Sequence, residues 1–343
     1  MYQGDGIIAT QAQHATAGRL DLPPDAAAQA TLAPDFGRRF AIFGDAEEEF
    51  DWHLPLDRHS TETRAIASLP AATRRFNAAG VVPTYLVDYP VVTNVASAAA
   101  VRGMVEAGEC DVGTQLHPWV NPPFEEAVTR TNSFTGNLPV PLQRAKLHAL
   151  TDAIEAGTGV RPIVYRAGRY GIGAETARLL AEAGYRLDVS VRALFDYSDE
   201  AGPDFSRHPV WPWWVRDDLL EVPLTAAFAG PLHRWPDLHR RAWLRGPLSR
   251  ARLLSRVALT PEGMPLAEVV AAIRRLLDDG TRLFSLSFHT PSVEVGHTPY
   301  VRDAADLKAF WHWWDTVFDL FAREGVRPAR LSEIIAAAGP PAR

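Results

Sequence analysis

The chain has 343 residues, 47% hydrophobic and 22% charged, an ordinary composition for a soluble globular protein of one large α/β domain or two smaller ones. Its net charge of −6 gives no electrostatic footprint for nucleic acid or an acidic membrane, and its single cysteine, Cys110, excludes an intramolecular disulfide and a multi-cysteine metal site. No apolar run approaches the roughly 20 residues of a membrane helix, and the N-terminus lacks the basic-then-apolar pattern of a signal peptide, so a cytoplasmic location is expected.

Residues 1–37, rich in Ala, Asp, Pro and Thr, read as an irregular arm. Strand and helix patterns then alternate. The apolar run Phe40–Phe43 stops at Asp45 and Glu47. Ser60 or Thr61 can cap a helix running to Ala79 and ending at Gly80. Val81–Val87 reads as a buried strand, and Val95–Ala107 as a helix ended by Gly108. Asp111–Leu116 is a strand that stops at His117. Leu142–Ala156 is a helix with Leu147, Leu150 and Ile154 on one face. Ile163–Tyr165 stops at Arg166, a helix spans Ala174–Ala183, and Tyr185–Leu187 stops at Asp188.

Residues 195–262 break this rhythm with tryptophans, prolines and a basic segment, Arg240–Arg256. Within them Leu219–Pro223 reads as a strand and the rest as an insertion. Pro265–Asp279 is again a helix, Leu283–Phe288 is a strand that stops at His289, and Ala305–Arg323 is the last helix, with Trp311 and Trp314 assigned to the core. Strands alternating with helices imply parallel pairing through right-handed crossovers. Ionisable groups at the ends of five such strands point to one face of a barrel.

Each strand end has a chemical and a structural reading. Asp45 and Glu47, two apart, share one face of a strand, where one carboxylate could bind a metal and the other act as base; the alternative is a solvated acidic cluster with Glu48, Glu49 and Asp51. His117 and Asn121 share a face if Pro118 opens a helical turn, and His117 is either a ligand or a structural histidine. The turn Arg166–Gly171 permits close backbone approach, and Arg166 could hold a carboxylate. His289 is placed for general-acid work or is a buried, backbone-bonded histidine. Trp119, Trp211 and Trp214, in loops near the expected mouth, could stack on sugar rings or simply pack.

Taken together, these segments resemble the polysaccharide deacetylase (NodB-homology, carbohydrate esterase family four) superfamily, nearest to an atypical bacterial branch, over roughly residues 38–335. The motifs come in the family's order: Phe43-Gly-Asp-Ala-Glu47, Gly113-Thr-Gln-Leu-His117, Arg166-Ala-Gly-Arg-Tyr-Gly171, Asp188-Val-Ser-Val and Leu286-Ser-Phe-His289. The resemblance implies an α/β fold, a distorted (β/α) barrel of seven or eight strands of the glycoside hydrolase/deacetylase type, with an insertion at about 195–262. It implies a metal-dependent hydrolase that removes acetyl groups from N-acetylated sugars. The alternatives are a hydrolase of another amide or a cyclic ureide, or a catalytically degenerate carbohydrate-binding protein.

By the same resemblance, Asp45 is the base, Arg166 orients it, the Tyr170 amide helps hold the oxyanion, and His289 is the acid. Asp188 belongs to the catalytic group as a charge partner. Glu47, His117 and Asn121 form the metal set, and Trp119, Trp211, Trp214 and Ser292 contact substrate. The implied cofactor is a divalent metal, zinc first, with cobalt, nickel or manganese as alternatives, or no metal at all. The implied partner is a carbohydrate or other small amide. The family's usual pattern has two adjacent aspartates and two histidines four apart. This chain has Asp45-Ala-Glu47 and, in the second histidine's place, Asn121, with Gln115 a further candidate.

Overall fold

The segment Arg38–Ala46 is buried from Phe40 onward, and it is the strand around which the molecule is organised. The structure, a computed structural model, describes residues 18–339, so the first 17 residues of the expected arm lie outside the described residues. In chain order the strands are β1 (Thr31–Leu32), β2 (Arg38–Ala46), β3 (Thr84–Val87), β4 (Asp111–Leu116), β5 (Val164–Ala167), β6 (Leu187–Asp188) and β7 (Trp213–Arg216). They continue with β8 (Leu219–Glu221), β9 (Ala226–Ala229), β10 (Ser255–Ala258), β11 (Leu283–His289), β12 (Val326–Pro328) and β13 (Ala338–Gly339).

A nine-stranded sheet runs β11-β2-β3-β4-β5-β6-β8-β7, with β12 paired to the start of β2. Every ladder from β11 to β8 is parallel, and only β7 turns back against β8. The sheet curls until its two sides approach. There, Thr225 N donates to Ser285 O (3.1 Å) and Ser287 N to Leu259 O (3.2 Å), so irregular backbone rather than a full ladder bridges the gap. The result is a distorted (β/α) barrel. Such crossovers leave the C-terminal strand ends on one face, where reactive groups collect.

Helices cover the outside. The longest, Ala304–Arg323, starts on an Asp303 cap that accepts from Ala305 N and Asp306 N, and buries Phe310, Trp313, Trp314, Val317 and Phe321. It is not the last helix, as the sequence led us to expect, since Leu331–Ala337 follows it. Burial of each such aromatic or aliphatic side chain is worth about 1.5–3 kcal/mol. Trp314 is in the core as expected, but Trp311 is only half-buried under the Arg75 guanidinium, and Trp313 is the second buried indole. The helix expected from Ser60 or Thr61 begins later: Leu69–Ala78 is α-helical, with Pro70 in its first turn and a 3₁₀ turn, Arg64–Ser68, before it. Glu62 pairs instead with Glu49, which holds residues 60–63 extended against the loop after β2. The strand expected over 81–87 is ladder-bonded only from Thr84, since Pro83 has no N–H to give.

Of the stretch 195–262, β7 and β8 join the main sheet, whereas β9 and β10 form a separate antiparallel ladder. The helix Leu266–Asp278 then leads into β11. Ahead of β2, β1 pairs with β13 and two 3₁₀ turns carry the chain. Among the described residues no helix is long and apolar enough to cross a membrane.

Candidate active site

At the C-terminal strand ends lies a cavity of about 680 Å³, lined by residues from β2, β4, β5, β11 and the loops that follow them, and from the loops after β6 and β10. Asp45 and His289 are register partners on the adjacent parallel strands β2 and β11, so both side chains project from one level of the sheet into this space.

Asp45 is buried, and its Oδ1 accepts from Arg166 Nη1 at 2.6 Å. Arg166 also donates through Nε to Val189 O (3.1 Å), which fixes the plane of the guanidinium, while Nη2 is buried with no protein acceptor. On the opposite flank, His289 Nδ1 lies 2.7 Å from Glu262 Oε2, and the same carboxylate accepts from His289 N and from Ser292 Oγ (2.6 Å). Burial by itself would lower the His289 pKa. The charges of Glu262, Glu47 and Asp45, with the hydrogen bond to Glu262, outweigh it and raise the value to about 10.

His117 is held on every side. Its Nδ1 is 2.7 Å from Glu48 Oε2, and the other Glu48 oxygen accepts from Trp119 Nε1 (2.8 Å). The Trp119 ring stacks on the imidazole, centroids 4.3 Å apart. With the Nδ1 proton given to Glu48, the Nε2 lone pair faces Gln115 Nε2 at 3.2 Å and Glu47 Oε2 at 3.6 Å. Gly168 makes this packing possible, since a Cβ there would stand 2.3 Å from His117 Cδ2 and 2.6 Å from Leu116 O.

Behind His117, Asp88 accepts from Glu48 N (2.7 Å) and from Val91 N (2.9 Å). Burial, and then the neighbouring Glu48 carboxyl, push the Asp88 pKa well up; burial likewise raises Glu48 to about 8 and Glu47 to about 7. Glu48, Asp88 and His117 offer donor atoms within 4.8 Å of one another and could hold a metal ion. In that trio the carboxylate oxygens already accept hydrogen bonds from the imidazole, an indole and backbone amides.

The cavity side of His117 offers a second set of donors. They combine an imidazole lone pair, the Glu47 carboxylate beside it, and Gln115 Oε1, which is buried without a partner. Glu48 then orients the imidazole, as a ligating histidine's outer carboxylate does.

Not every residue of the expected set reaches the cavity. Asn121 turns away from it: its Nδ2 donates to Pro122 O and Lys146 O, pinning the loop after β4. The Lys146 ammonium grips the same loop through Pro118 O, Asn121 O and Pro123 O. Asp188 lies beneath the floor, in register with Glu221; it accepts from Ser190 N and Oγ, and burial raises its pKa and that of Glu221. Trp211 packs on the core beside Trp213, and Trp214, on the edge strand β7, donates to Gly339 O. Ser292 meets Glu262 rather than the cavity. Trp119 is 2% exposed, a support for His117 more than a stacking platform. Tyr170 lines the wall with a left-handed backbone (φ 60°).

Several functional side chains escape the sequence pattern. Glu262 ends the irregular 195–262 stretch, and nothing local marks it. Asp88 does carry a signal, a carboxylate directly after the buried strand β3. Glu48 sits in an acidic run that reads as solvated, yet is 1% exposed. At the mouth the aromatic surface comes from Trp52 and Tyr300. The Trp52 ring is 4.9 Å from His289 and 5.8 Å from Tyr300.

No family model and no curated protein matches this sequence. Solved structures do match. One is a Mycobacterium smegmatis protein assigned to the polysaccharide deacetylases, with 18% identity over 94% of this chain and 98% of that one, at a TM-score of 0.53. A GH57 branching enzyme from Thermococcus kodakaraensis matches at 11% identity over 87% of this chain and 71% of its own, with a TM-score of 0.50. A family 4 carbohydrate esterase from Streptomyces lividans matches at 14% identity over 89% and 98%, with a TM-score of 0.41. The chain therefore has the distorted (β/α) barrel fold of the polysaccharide deacetylases.

Proposed function

We propose that this protein is a hydrolase of an amide C–N bond, a deacetylase acting on an N-acetylated sugar. The observation that carries the reading is the pairing of two oppositely supported groups across one cavity: Asp45 tied to Arg166, and His289 tied to Glu262. An amide nitrogen cannot leave as an anion in water, so hydrolysis requires a base for the attacking water and an acid for the departing amine. Asp45, whose Oδ2 is not taken by Arg166, accepts the water proton. His289, cationic at neutral pH, delivers a proton to the nitrogen as the C–N bond breaks. Trp52 and Tyr300 flank the sugar ring at the mouth.

A divalent metal would be held by His117 Nε2 and Glu47, with Gln115 as an additional oxygen donor. Bound there, it would supply Lewis-acid activation of water and charge stabilisation for the tetrahedral intermediate. Arg166, Glu48 and Glu262 do not touch substrate in this scheme; each fixes the orientation of a group that does.

The test is acetate release from N-acetylated oligosaccharides by protein whose metal content has been measured, in wild type and in Asp45→Asn and His289→Ala. Turnover by wild type and a loss of at least a hundredfold in each variant is the expected result. Protein that is inert after loading with zinc, cobalt, nickel or manganese would overturn the hydrolase reading. Sugar binding without turnover would then favour a degenerate binding protein.

A further inference from the structure

Four arginines line the cavity: Arg130, Arg166, Arg169 and Arg192. Three have a carboxylate. Arg166 pairs with Asp45, and Arg169 and Arg130 both meet Glu200. Arg192 has none within 4.0 Å among the described residues. Its one hydrogen bond is from Nη1 to the Tyr197 hydroxyl (3.0 Å), and its Nε is buried without a partner.

The guanidinium is placed rather than loose. It stands over the rings of Phe195 (4.0 Å) and Tyr170 (5.3 Å), and Tyr170 stacks on Tyr197. Across Phe195 a second guanidinium, Arg256, lies 3.7 Å from the ring centroid and donates to Leu194 O. Burial, followed by the nearby Arg192 charge, lowers the Arg256 pKa to about 10. A half-buried cation with no counter-charge is costly unless something supplies the negative partner. An arginine held flat on aromatic faces is suited to receive one, because its remaining N–H groups form a fork that matches a carboxylate or phosphate.

We infer that Arg192 is the binding residue for an anionic group on the substrate, so the cavity takes an acidic N-acetylated sugar, bearing a carboxylate or phosphate, in preference to a neutral one. This rests on the amide-hydrolase reading only for the N-acetyl group; the anion site stands on Arg192 and its surroundings. Tyr197 fixes one arm of the guanidinium, and Nε and Nη2 remain to meet the anion. Arg169 and Arg130 both lie against the Glu200 carboxylate, whereas Arg192 has no carboxylate within 4.0 Å among the described residues.

The test is equilibrium binding by calorimetry of three probes: N-acetylglucosamine, N-acetylmuramic acid and N-acetylglucosamine 1-phosphate. Wild type is expected to bind one of the two acidic probes about tenfold to a hundredfold more tightly than the neutral one, the range of a charge-assisted contact. Whichever acidic probe is preferred identifies carboxylate or phosphate as the source of the charge. Arg192→Gln should abolish the preference, Arg192→Lys should retain part of it, and added salt should weaken it. Thermal melts of both variants check that the fold survives, and the salt dependence in wild type stands even if neither folds. Equal affinity of wild type for all three probes, or an unchanged preference in folded Arg192→Gln, overturns the inference. Arg192-dependent binding without acetate release would sink the hydrolase reading and leave this one standing.

Discussion

Asp45 and His289 are register partners on adjacent parallel strands, yet each is tied to a different partner outside that pair: Asp45 to Arg166, His289 to Glu262. Among the described residues the two side chains do not bond to each other. Here each is claimed from the opposite side, so both keep an open face toward the cavity.

Removing one member of the buried Asp45–Arg166 pair should be strongly destabilising. Arg166 is 1% exposed, and among the described residues Asp45 is its one carboxylate within 4.0 Å. Asp45→Ala is expected to cost about 3–5 kcal/mol in urea unfolding, and Asp45→Ala with Arg166→Met should recover much of it. Equal midpoints for wild type and the single variant would show that the pair does not matter to stability.

The His289–Glu262 contact sets a titration. In the folded state His289 is raised to about 10, above an unfolded value near 6.5. The stability it contributes is therefore full below about pH 6.5 and is lost as pH rises toward 10. Glu262→Gln should move the imidazole midpoint down and flatten this alkaline loss. Nuclear magnetic resonance titration of the histidine ring, alongside melts from pH 6 to 10, reads both. A midpoint that does not move in the variant would mean that Glu262 is not what holds the proton.

For the metal, Glu48 and Asn121 should behave oppositely. Glu48→Gln weakens the hydrogen bond that orients His117 and is expected to reduce metal affinity about tenfold to a hundredfold. Asn121→Ala should leave affinity unchanged but lower the melting temperature, since its amide ties Pro122 O in the loop after β4 to Lys146 O in the helix Val140–Thr158. Metal titration of chelator-stripped protein separates them. Loss of affinity in Asn121→Ala would return that residue to the ligand set.

Gly168→Ala tests the packing of His117. The added methyl would meet the ring edge and the Leu116 carbonyl, and the ring cannot retreat because Trp119 is stacked on it. A loss of about 1–3 kcal/mol is expected, with weaker metal binding as the ring is displaced. A variant with wild-type melting and metal affinity would show that the ring has room.

The alternation of strand and helix was legible because it is written locally. Apolar runs such as Phe40–Phe43 and Leu283–Phe288 end at polar residues, and helices stop at glycines such as Gly80 and Gly108, whose φ values are positive. Parallel pairing then puts Asp45, His117, Arg166 and His289 on one face whatever the loops do. Burial inside an acidic run was not legible. Glu47, Glu48 and Glu49 look alike in sequence. Only the side chains that close over them distinguish Glu48, buried under Trp119, from Glu49, which accepts from the Ala65 amide and lies against His297.

By itself, then, the sequence determined the alternation of strands and helices along the chain and which ionisable groups end the strands, since both follow from short-range periodicity. Only the tertiary structure decided which groups support one another. Glu262 reaches His289 across 27 residues, and Glu48 reaches His117 across 69. Asn121, four residues from His117, faces a lysine's backbone instead of the cavity. Such pairings depend on how irregular loops fold back over the strand ends, and no local pattern encodes that path.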